Sequence, residues 1–163
     1  VRLNLTPLRT LRRKMAEVGS QRVQVGIFSD HDSRTPTKDY HDETSNATLG
    51  AIHEFGEPSW SFLFQRMVLI PERSFLRMPL MLRLGDELRR LGPALGFQLL
   101  RGSATQFLKQ LGLLGHAIVD EAFATRGYGQ WPQLSSLTIE LKKSDAILIE
   151  SGQLRNSITY RIV

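Results

Sequence analysis

Apolar residues near the N-terminus recur at the spacing of an amphipathic helix. Thr6 is a suitable N-cap, Pro7 is favoured at the first helical position, and Gly19 can end the helix. These signals predict a helix over residues 6–19. Its apolar stripe, at intervals of three and four residues, comprises Leu8, Leu11, Met15 and Val18.

Two longer segments show the same periodicity. Ser74 is the predicted N-cap of the first, which Gly92-Pro93 is expected to kink or split. Ser103 is the predicted N-cap of the second, which runs to about Thr125. The first stripe comprises Leu76, Leu80, Leu84, Leu88, Leu91 and Leu95, and the second comprises Phe107, Leu108, Leu111, Leu114, Ile118, Val119 and Ala122.

Two glycines lie inside the second of these long helices, at Gly112 and Gly115. Each destabilises a helix by about 1 kcal/mol relative to alanine. That loss is offset where a neighbouring element comes closer than a side chain would allow. We therefore expect another helix to approach the chain at these two positions.

Five shorter segments complete the predicted secondary structure. Residues 23–27 and 158–163 alternate in polarity and predict strands. Residues 47–55 predict a short helix closed by Gly56, and residues 134–143 predict a short amphipathic helix. Trp60–Ile70 is rich in aromatic and aliphatic residues and predicts an extended strand or hairpin arm. The pattern indicates one α+β domain over residues 1–163, with two long helices packed on a small, mainly antiparallel sheet.

Residues 30–46 form a long polar segment between these elements. Almost no apolar side chain is present, so the segment is too polar to pack by itself and is predicted to be mobile unless a partner orders it. We expect it to act as an interaction arm. Its acidic residues are Asp30, Asp32, Asp39, Asp42 and Glu43.

The composition limits the classes of protein to which the chain can belong. It contains no cysteine, which excludes disulfides and thiolate metal sites and fits folding in a reducing cytoplasm. No apolar run approaches the roughly 20 residues needed to cross a bilayer. No apolar stretch follows the N-terminal arginines as in a signal peptide, so no membrane association is expected.

Charge is distributed in blocks of opposite sign. Residues 1–29 carry a net charge of +5, residues 30–58 carry −5, and the whole chain carries +5. A basic surface that includes Arg9, Arg12 and Arg13 could contact DNA or an acidic neighbour, or could be a solvated face. Adjacent blocks of opposite charge also suggest self-assembly, in which each block faces its opposite on a neighbouring copy.

Candidate catalytic and metal-binding groups are few. His31 and His41 each adjoin carboxylates, and these side chains could meet around a divalent ion, but no spacing fixes their geometry. His53-Glu54 lacks the second histidine of a zinc-protease motif, and His116 fits a satisfied buried or boundary histidine. No nucleophile motif, phosphate loop or dinucleotide fingerprint is present. We therefore expect a protein that is not an enzyme and carries no cofactor.

Three longer stretches of the sequence are more specific, as a sign of relationship, than these isolated residues. They are Ala51–Gly56, Ile70–Arg77, and a C-terminal region from Gly102 to Val163 that includes Trp131-Pro132-Gln133-Leu134 and Leu148–Leu154. In order and spacing they resemble the virion morphogenesis, or tail-completion, family of long-tailed bacteriophages. The chain departs from the family pattern at Glu72 and Ser74, where alanine and proline are usual, but it keeps the capping chemistry.

The resemblance implies a structural protein of the virion that is assembled in the host cytoplasm. Its expected partners are further copies of the chain in a ring, taken to be a hexamer, the head connector or adaptor proteins, and the tail terminator or tail tube protein. DNA would pass through the lumen without sequence-specific binding, past the acidic arm. The alternatives are a basic nucleic-acid-binding module, and a tail terminator or a transient assembly factor.

Two residues of these stretches are candidate interface residues. Arg73 precedes a predicted helix, where a positive charge opposes the helix dipole, so its guanidinium is expected to pair elsewhere, across subunits in the interface hypothesis. Trp131, followed by a proline, is a stiff aromatic anchor suited to a pocket on this chain or on the next.

Overall fold

A computed structural model describes residues 6–35, 44–61, 65–149 and 151–163. The protein is α+β, as predicted, with two long helices packed against a small antiparallel sheet. In chain order the elements are α1 (Thr6–Gly19), β1 (Val23–Ile27), α2 (Asn46–Phe55), β2 (Glu57–Ser61), β3 (Arg66–Ile70), α3 (Arg77–Arg101), α4 (Ala104–Ala124), α5 (Ser136–Lys142), α6 (Gln153–Asn156) and β4 (Ile158–Ile162).

Helix α4 is the central element of the fold. It packs against α3 and α1, and also against the antiparallel pair formed by β1 and β4, in which Val25 lies opposite Tyr160. Its start is fixed by the predicted cap, because Ser103 and Gln106 form a reciprocal capping box. The core cluster comprises Phe75, Val119, Ala122, Phe123, Trp131, Ile147, Leu154 and Ile158.

The tightest contacts at the two glycines of α4 come from the sheet, which corrects the prediction of a helix there, although Leu80 of α3 also lies 3.9 Å from a Cβ atom placed on Gly115. A Cβ atom on Gly112 would overlap the ring of Tyr160 on β4, and one on Gly115 would lie 2.8 Å from Val25 on β1. The aromatic and β-branched side chains of the strands therefore occupy the space that alanine side chains would need.

Replacing Gly112 with alanine should lower the free energy of unfolding by about 1–3 kcal/mol, because the Tyr160 ring must move out of a packed interface. Gly96 in α3 provides the control, since a Cβ atom there would meet nothing within 4 Å. Gly96→Ala should be neutral or should stabilise by up to about 1 kcal/mol. Urea denaturation followed by circular dichroism measures both changes, and equal effects would contradict the packing of α4 on β4.

Helix α3 runs as one helix from Arg77 to Arg101, so of the kink or split predicted at Gly92-Pro93 the split is wrong. Pro93 cannot donate a hydrogen bond to the carbonyl of Arg89. Both residues are exposed, so water can satisfy that carbonyl, and Leu95, two residues beyond the proline, is buried.

Helix α2 and the strands β2 and β3 form a continuous unit. Ser45 caps α2, and Gly56 ends it at φ 70°, a conformation that favours glycine. The predicted extended segment is a hairpin in which β2 pairs antiparallel with β3, forming a second sheet separate from that of β1 and β4. A Cβ atom on Gly56 would lie 2.7 Å from the backbone nitrogen of Glu72, so the two ends of the hairpin are held close together.

The described residues of the predicted mobile segment, 30–35 and 44–46, are held by specific contacts, and residues 36–43 lie outside the described part of the chain. Thr35 exchanges two hydrogen bonds with the Gln153 side chain, at 2.7 and 3.0 Å. Asn46 donates from its side chain to the carbonyl of Ser33 at 3.0 Å. None of the helices in the described part of the chain is both long and apolar enough to cross a lipid bilayer.

Candidate interaction surface

The start of α3 is capped by a carboxylate that lies far away in sequence. Glu54, buried near the end of α2, accepts hydrogen bonds from the backbone nitrogens of Phe75, Leu76 and Arg77 at 2.8–2.9 Å. It also accepts one from the hydroxyl of Ser74 at 2.6 Å. A negative charge with this geometry satisfies the unpaired N–H groups and the positive end of the helix dipole together.

Ser74 takes part in this cap but does not begin the helix, which starts later than predicted. Its hydroxyl accepts a hydrogen bond from the backbone nitrogen of Met78 at 2.9 Å while donating to Glu54. The N-cap residue itself, Leu76, has no side chain that could accept such a bond. Glu54 therefore supplies the acceptors for the backbone nitrogens of residues 75–77, whereas Ser74 accepts only from Met78.

Arg73 and Trp131 are held inside the same region, which corrects their assignment as interface residues. Their exposed fractions are only 5% and 3%. Arg73 donates to the carbonyls of Pro132 and Gln133 at 3.0 and 3.3 Å, and burial lowers the pKa of its guanidinium. Trp131 donates from Nε1 to the carbonyl of Ser74 at 3.1 Å. These bonds are intramolecular, so the tryptophan fills a pocket on its own chain.

The hairpin exposes an apolar face. Partners in the antiparallel register lie on the same side of a ribbon, and so do alternate residues of a strand. Pro58 with Leu69 and Trp60 with Met67 are such pairs, so all four share one side. The exposed fractions are 48% for Trp60, 56% for Met67 and 74% for Leu69. We call these four residues the hairpin face.

An open apolar groove of about 390 Å³ lies beside the base of the hairpin. It is formed by β1, α2 and the first turns of α3, and its floor includes Phe75. The Arg77 guanidinium lies 5.5 Å from the ring centroid of Phe55 at its edge. We call it the α2–α3 groove, and its apolar lining includes Ile27, Ala47, Ala51, Phe55, Leu76 and Leu80.

Helix α1 contributes a second, basic surface. Arg9, Arg12 and Arg13 are exposed, and none of them forms an ion pair with another residue that the structure describes. Leu8 and Met15 of the predicted apolar stripe are also exposed. Lys14 ties the helix to the body by donating to the carbonyls of Leu99 and Leu100, at the C-terminal end of α3, where a positive charge is favoured.

The acidic candidates divide into two groups. Asp32 accepts a hydrogen bond from the backbone nitrogen of Ala47 at 2.5 Å and so helps to cap α2. Asp30 pairs with Arg161 on β4. Both carboxylates thus have intramolecular partners. The remaining three, Asp39, Asp42 and Glu43, lie outside the described residues, as does His41.

Other titratable groups have structural partners. Arg155 donates two hydrogen bonds to Asp120 at 2.6 and 2.7 Å, and these lower the pKa of the carboxyl group. Burial, reinforced by Glu121, raises the pKa of Tyr128 to about 12. His116 lies 3.1 Å from the carbonyl of Ile158, as expected for a satisfied histidine. In the described part of the chain, no three His, Asp or Glu side chains are grouped so that they could hold a metal ion.

Comparison of the chain with family models, with curated proteins and with solved structures finds no match.

Proposed function

We propose that the chain is a structural subunit of the junction between head and tail in a long-tailed bacteriophage, where copies of it assemble into a ring. One observation carries the proposal: the hairpin face exposes a tryptophan, a methionine and a leucine on a two-stranded ribbon. Apolar side chains grouped in this way are typical of surfaces that bind another protein. A two-stranded hairpin is marginally stable by itself in water, so contact with a partner would also stabilise it.

The spatial arrangement of the three family-like stretches supports the proposal. Glu54, from the first stretch, caps the helix that begins in the second. Arg73, from the second, donates to the carbonyls that follow Trp131 in the third. Residues far apart in the chain therefore form one connected set of contacts. Such a set accounts for motifs that keep their order and spacing, because each depends on the others for its position.

A nucleic-acid-binding module is the second candidate. The observation in its favour is that Arg9, Arg12 and Arg13 are exposed on α1. None of the three forms an ion pair with a residue that the structure describes. Phosphate contacts made by three arginines would weaken steeply with salt, with a slope of about −0.9 per contact for duplex DNA. In the ring hypothesis the same arginines contact an acidic neighbour.

Light scattering of the purified chain across a range of concentrations, together with an antibody probe of mature virions, tests the proposal. We expect a ring-sized species, or a monomer that is present in virions at a small, fixed copy number. A triple variant with Arg9, Arg12 and Arg13 changed to serine should leave any binding of duplex DNA at physiological salt unchanged. A monomer that is absent from virions and loses salt-sensitive DNA binding in this variant would overturn the proposal in favour of the nucleic-acid-binding module.

A further inference from the structure

The outer edge of β1 carries backbone groups without a strand to pair with. Arg22 and Val163 exchange backbone hydrogen bonds at 2.6 and 2.9 Å, so they form a hydrogen-bonded pair of the antiparallel register. Hydrogen-bonded and non-hydrogen-bonded pairs alternate, so the N–H and C=O groups of Val23, Val25 and Ile27 point away from β4. No residue in the described part of the chain bonds to these groups. The edge is therefore an alternating row of donors and acceptors.

The α2–α3 groove lies beside this edge. Ile27 of β1 lines the groove together with Leu80 of α3. A Cβ atom placed on Gly115 would lie 2.8 Å from Val25 and 3.9 Å from Leu80, so the first turns of α3 run next to the middle of β1. The groove of about 390 Å³ thus has backbone groups along one side and apolar side chains, including Phe75, at its floor.

From this combination we infer that the α2–α3 groove binds an extended peptide segment of a partner protein, which adds to β1 as a third strand. The backbone of the segment would pair with the outer edge of β1, and its alternate side chains would enter the groove. Main-chain hydrogen bonds give affinity in strand addition, and pockets for alternate side chains give specificity. The inference goes beyond the proposed function, because it assigns a site and a class of ligand that do not depend on a place in a virion.

The edge of β4 is closed to such a strand at its first residue. The ring nitrogen Nε2 of His116 lies 3.1 Å from the carbonyl of Ile158, which points away from β1. The ion pair of Arg155 with Asp120 lies against the same residues. An incoming strand would have to displace these side chains, whereas the edge of β1 requires no such displacement. β1 is therefore the edge that accepts a strand.

The charges around the site indicate which peptides it favours. Glu54 and Arg77 line the groove, but the first is used by four donors and the second pairs with Glu72. The groove itself therefore suits apolar side chains. Arg22 is exposed at the start of β1 and forms no ion pair with a described residue, so it complements an acidic side chain. The expected ligand alternates apolar and polar residues over the five residues of β1, about 17 Å, with an acidic residue at one end.

The first experiment selects binders from random peptides by messenger-RNA display against the unmodified chain. We expect the enriched peptides to alternate in polarity and to carry an acidic residue at one end. The most enriched peptide is then the probe, and it is remade with one backbone nitrogen methylated at a time. Methylation at the positions that donate to β1 should lower affinity about tenfold, whereas methylation at the intervening positions should change it less than twofold. An effect that does not alternate would overturn strand addition.

Residue-resolved amide hydrogen exchange locates the probe on the chain. Exchange at Val23, Val25 and Ile27 should slow at least tenfold when the probe binds. Exchange at Tyr160 and Ile162, whose N–H groups point outward from β4, should stay unchanged. Protection at the β4 residues and not at the β1 residues would overturn the choice of edge.

A variant that fills the groove tests the role of the floor. Ala51 is exposed on α2 and lines the groove, so Ala51→Trp should weaken binding of the probe at least tenfold. Ala94→Trp, at an exposed position of α3 about 21 Å along the helix from Leu80, is the matched control and should bind normally. Circular dichroism melting curves show whether each variant folds. The exchange pattern is measured on the unmodified chain, so it decides the question if Ala51→Trp does not fold.

The remaining outcomes concern other occupants of the edge. A selection that enriches no peptide, or one whose peptides bind Ala51→Trp as well as the unmodified chain, would overturn the inference. Slow exchange at Val25 and Ile27 in the chain alone would also overturn it. If that protection rises with protein concentration, a second copy covers the edge, and if it is constant, the chain covers its own edge.

Discussion

Replacing Glu54 with alanine is expected to lower the free energy of unfolding by about 3–5 kcal/mol, because it removes a buried charge on which several donors depend. The carboxylate accepts four hydrogen bonds, three of them from backbone nitrogens of the first residues of α3 and its approach. Without it these donors, two of them buried and two part-buried, lack an acceptor. For a chain of this length, such a loss corresponds to a fall in Tm of roughly 10 °C.

Glu54→Gln provides a milder variant that keeps the shape of the side chain. Its amide NH₂ group cannot accept hydrogen bonds, so two of the four bonds are lost, and the charge that favours the helix N-terminus is removed. We expect a loss of about 2–3 kcal/mol by urea denaturation. Glu72→Gln is the matched control, since Glu72 is an exposed carboxylate near the same helix start that pairs with Arg77. A loss of equal size in both variants would show that Glu54 does not act as the cap.

Replacing Trp131 with alanine should destabilise the fold by about 3–5 kcal/mol. The indole is almost fully buried and lies edge-on to Phe123, with ring centroids 5.7 Å apart. Phe123 in turn packs against Phe75 at 5.4 Å, so the substitution leaves a cavity at one end of an aromatic cluster. Thermal melting followed by far-UV circular dichroism measures the effect without depending on tryptophan emission.

Trp131→Phe separates the packing of the indole from its hydrogen bond. Phenylalanine keeps most of the apolar volume but leaves the carbonyl of Ser74 without the donor at Nε1. We expect a loss of about 1–3 kcal/mol. Trp60→Phe, at the half-exposed second tryptophan, should change stability by less than about 0.5 kcal/mol. A Trp131→Ala variant as stable as the Trp60 variant would contradict a core position for Trp131.

The losses of stability caused by substitutions at Glu54 and at Trp131 should also be coupled. Glu54 accepts from the Ser74 hydroxyl, and Trp131 donates to the Ser74 carbonyl, so both act on the same residue at the start of α3. Residues that share a partner commonly show an interaction energy of about 0.5–3 kcal/mol in a double-mutant cycle. We expect a value in this range for the cycle that combines Glu54→Gln with Trp131→Phe. Additive losses would indicate that the cap and the indole stabilise the helix independently.

The local sequence was sufficient to predict most of the secondary structure. Helix α4 begins at the predicted Ser103 cap, and α2 ends at the predicted Gly56. The strands β1 and β4 lie where alternating polarity placed them. Capping, turn formation and alternation depend on residues within about four positions of one another, so the sequence itself contains the information.

The candidate interaction surface was predicted less well, because its assignment depends on contacts between distant residues. Arg73 and Trp131 were identified as special residues, but only the fold shows that they bond to carbonyls of their own chain. Glu54 was missed as a cap. A signal was present, since an acidic side chain lies in an otherwise mostly apolar short helix. Its partner is the start of a helix 20 or more residues later, beyond the reach of local patterns.

The sequence by itself determined the α+β class, the end of α2 at Gly56, the cap of α4 at Ser103, and the two strands of the main sheet. The tertiary structure decided which neighbour lies against Gly112, whether α3 continues past Pro93, and which apolar side chains stay exposed. The physical reason is that helix caps and strand alternation arise from short-range bonding, whereas burial depends on which elements meet. Trp60 and Trp131 are the same residue type, yet one lies on an exposed hairpin and the other in the core.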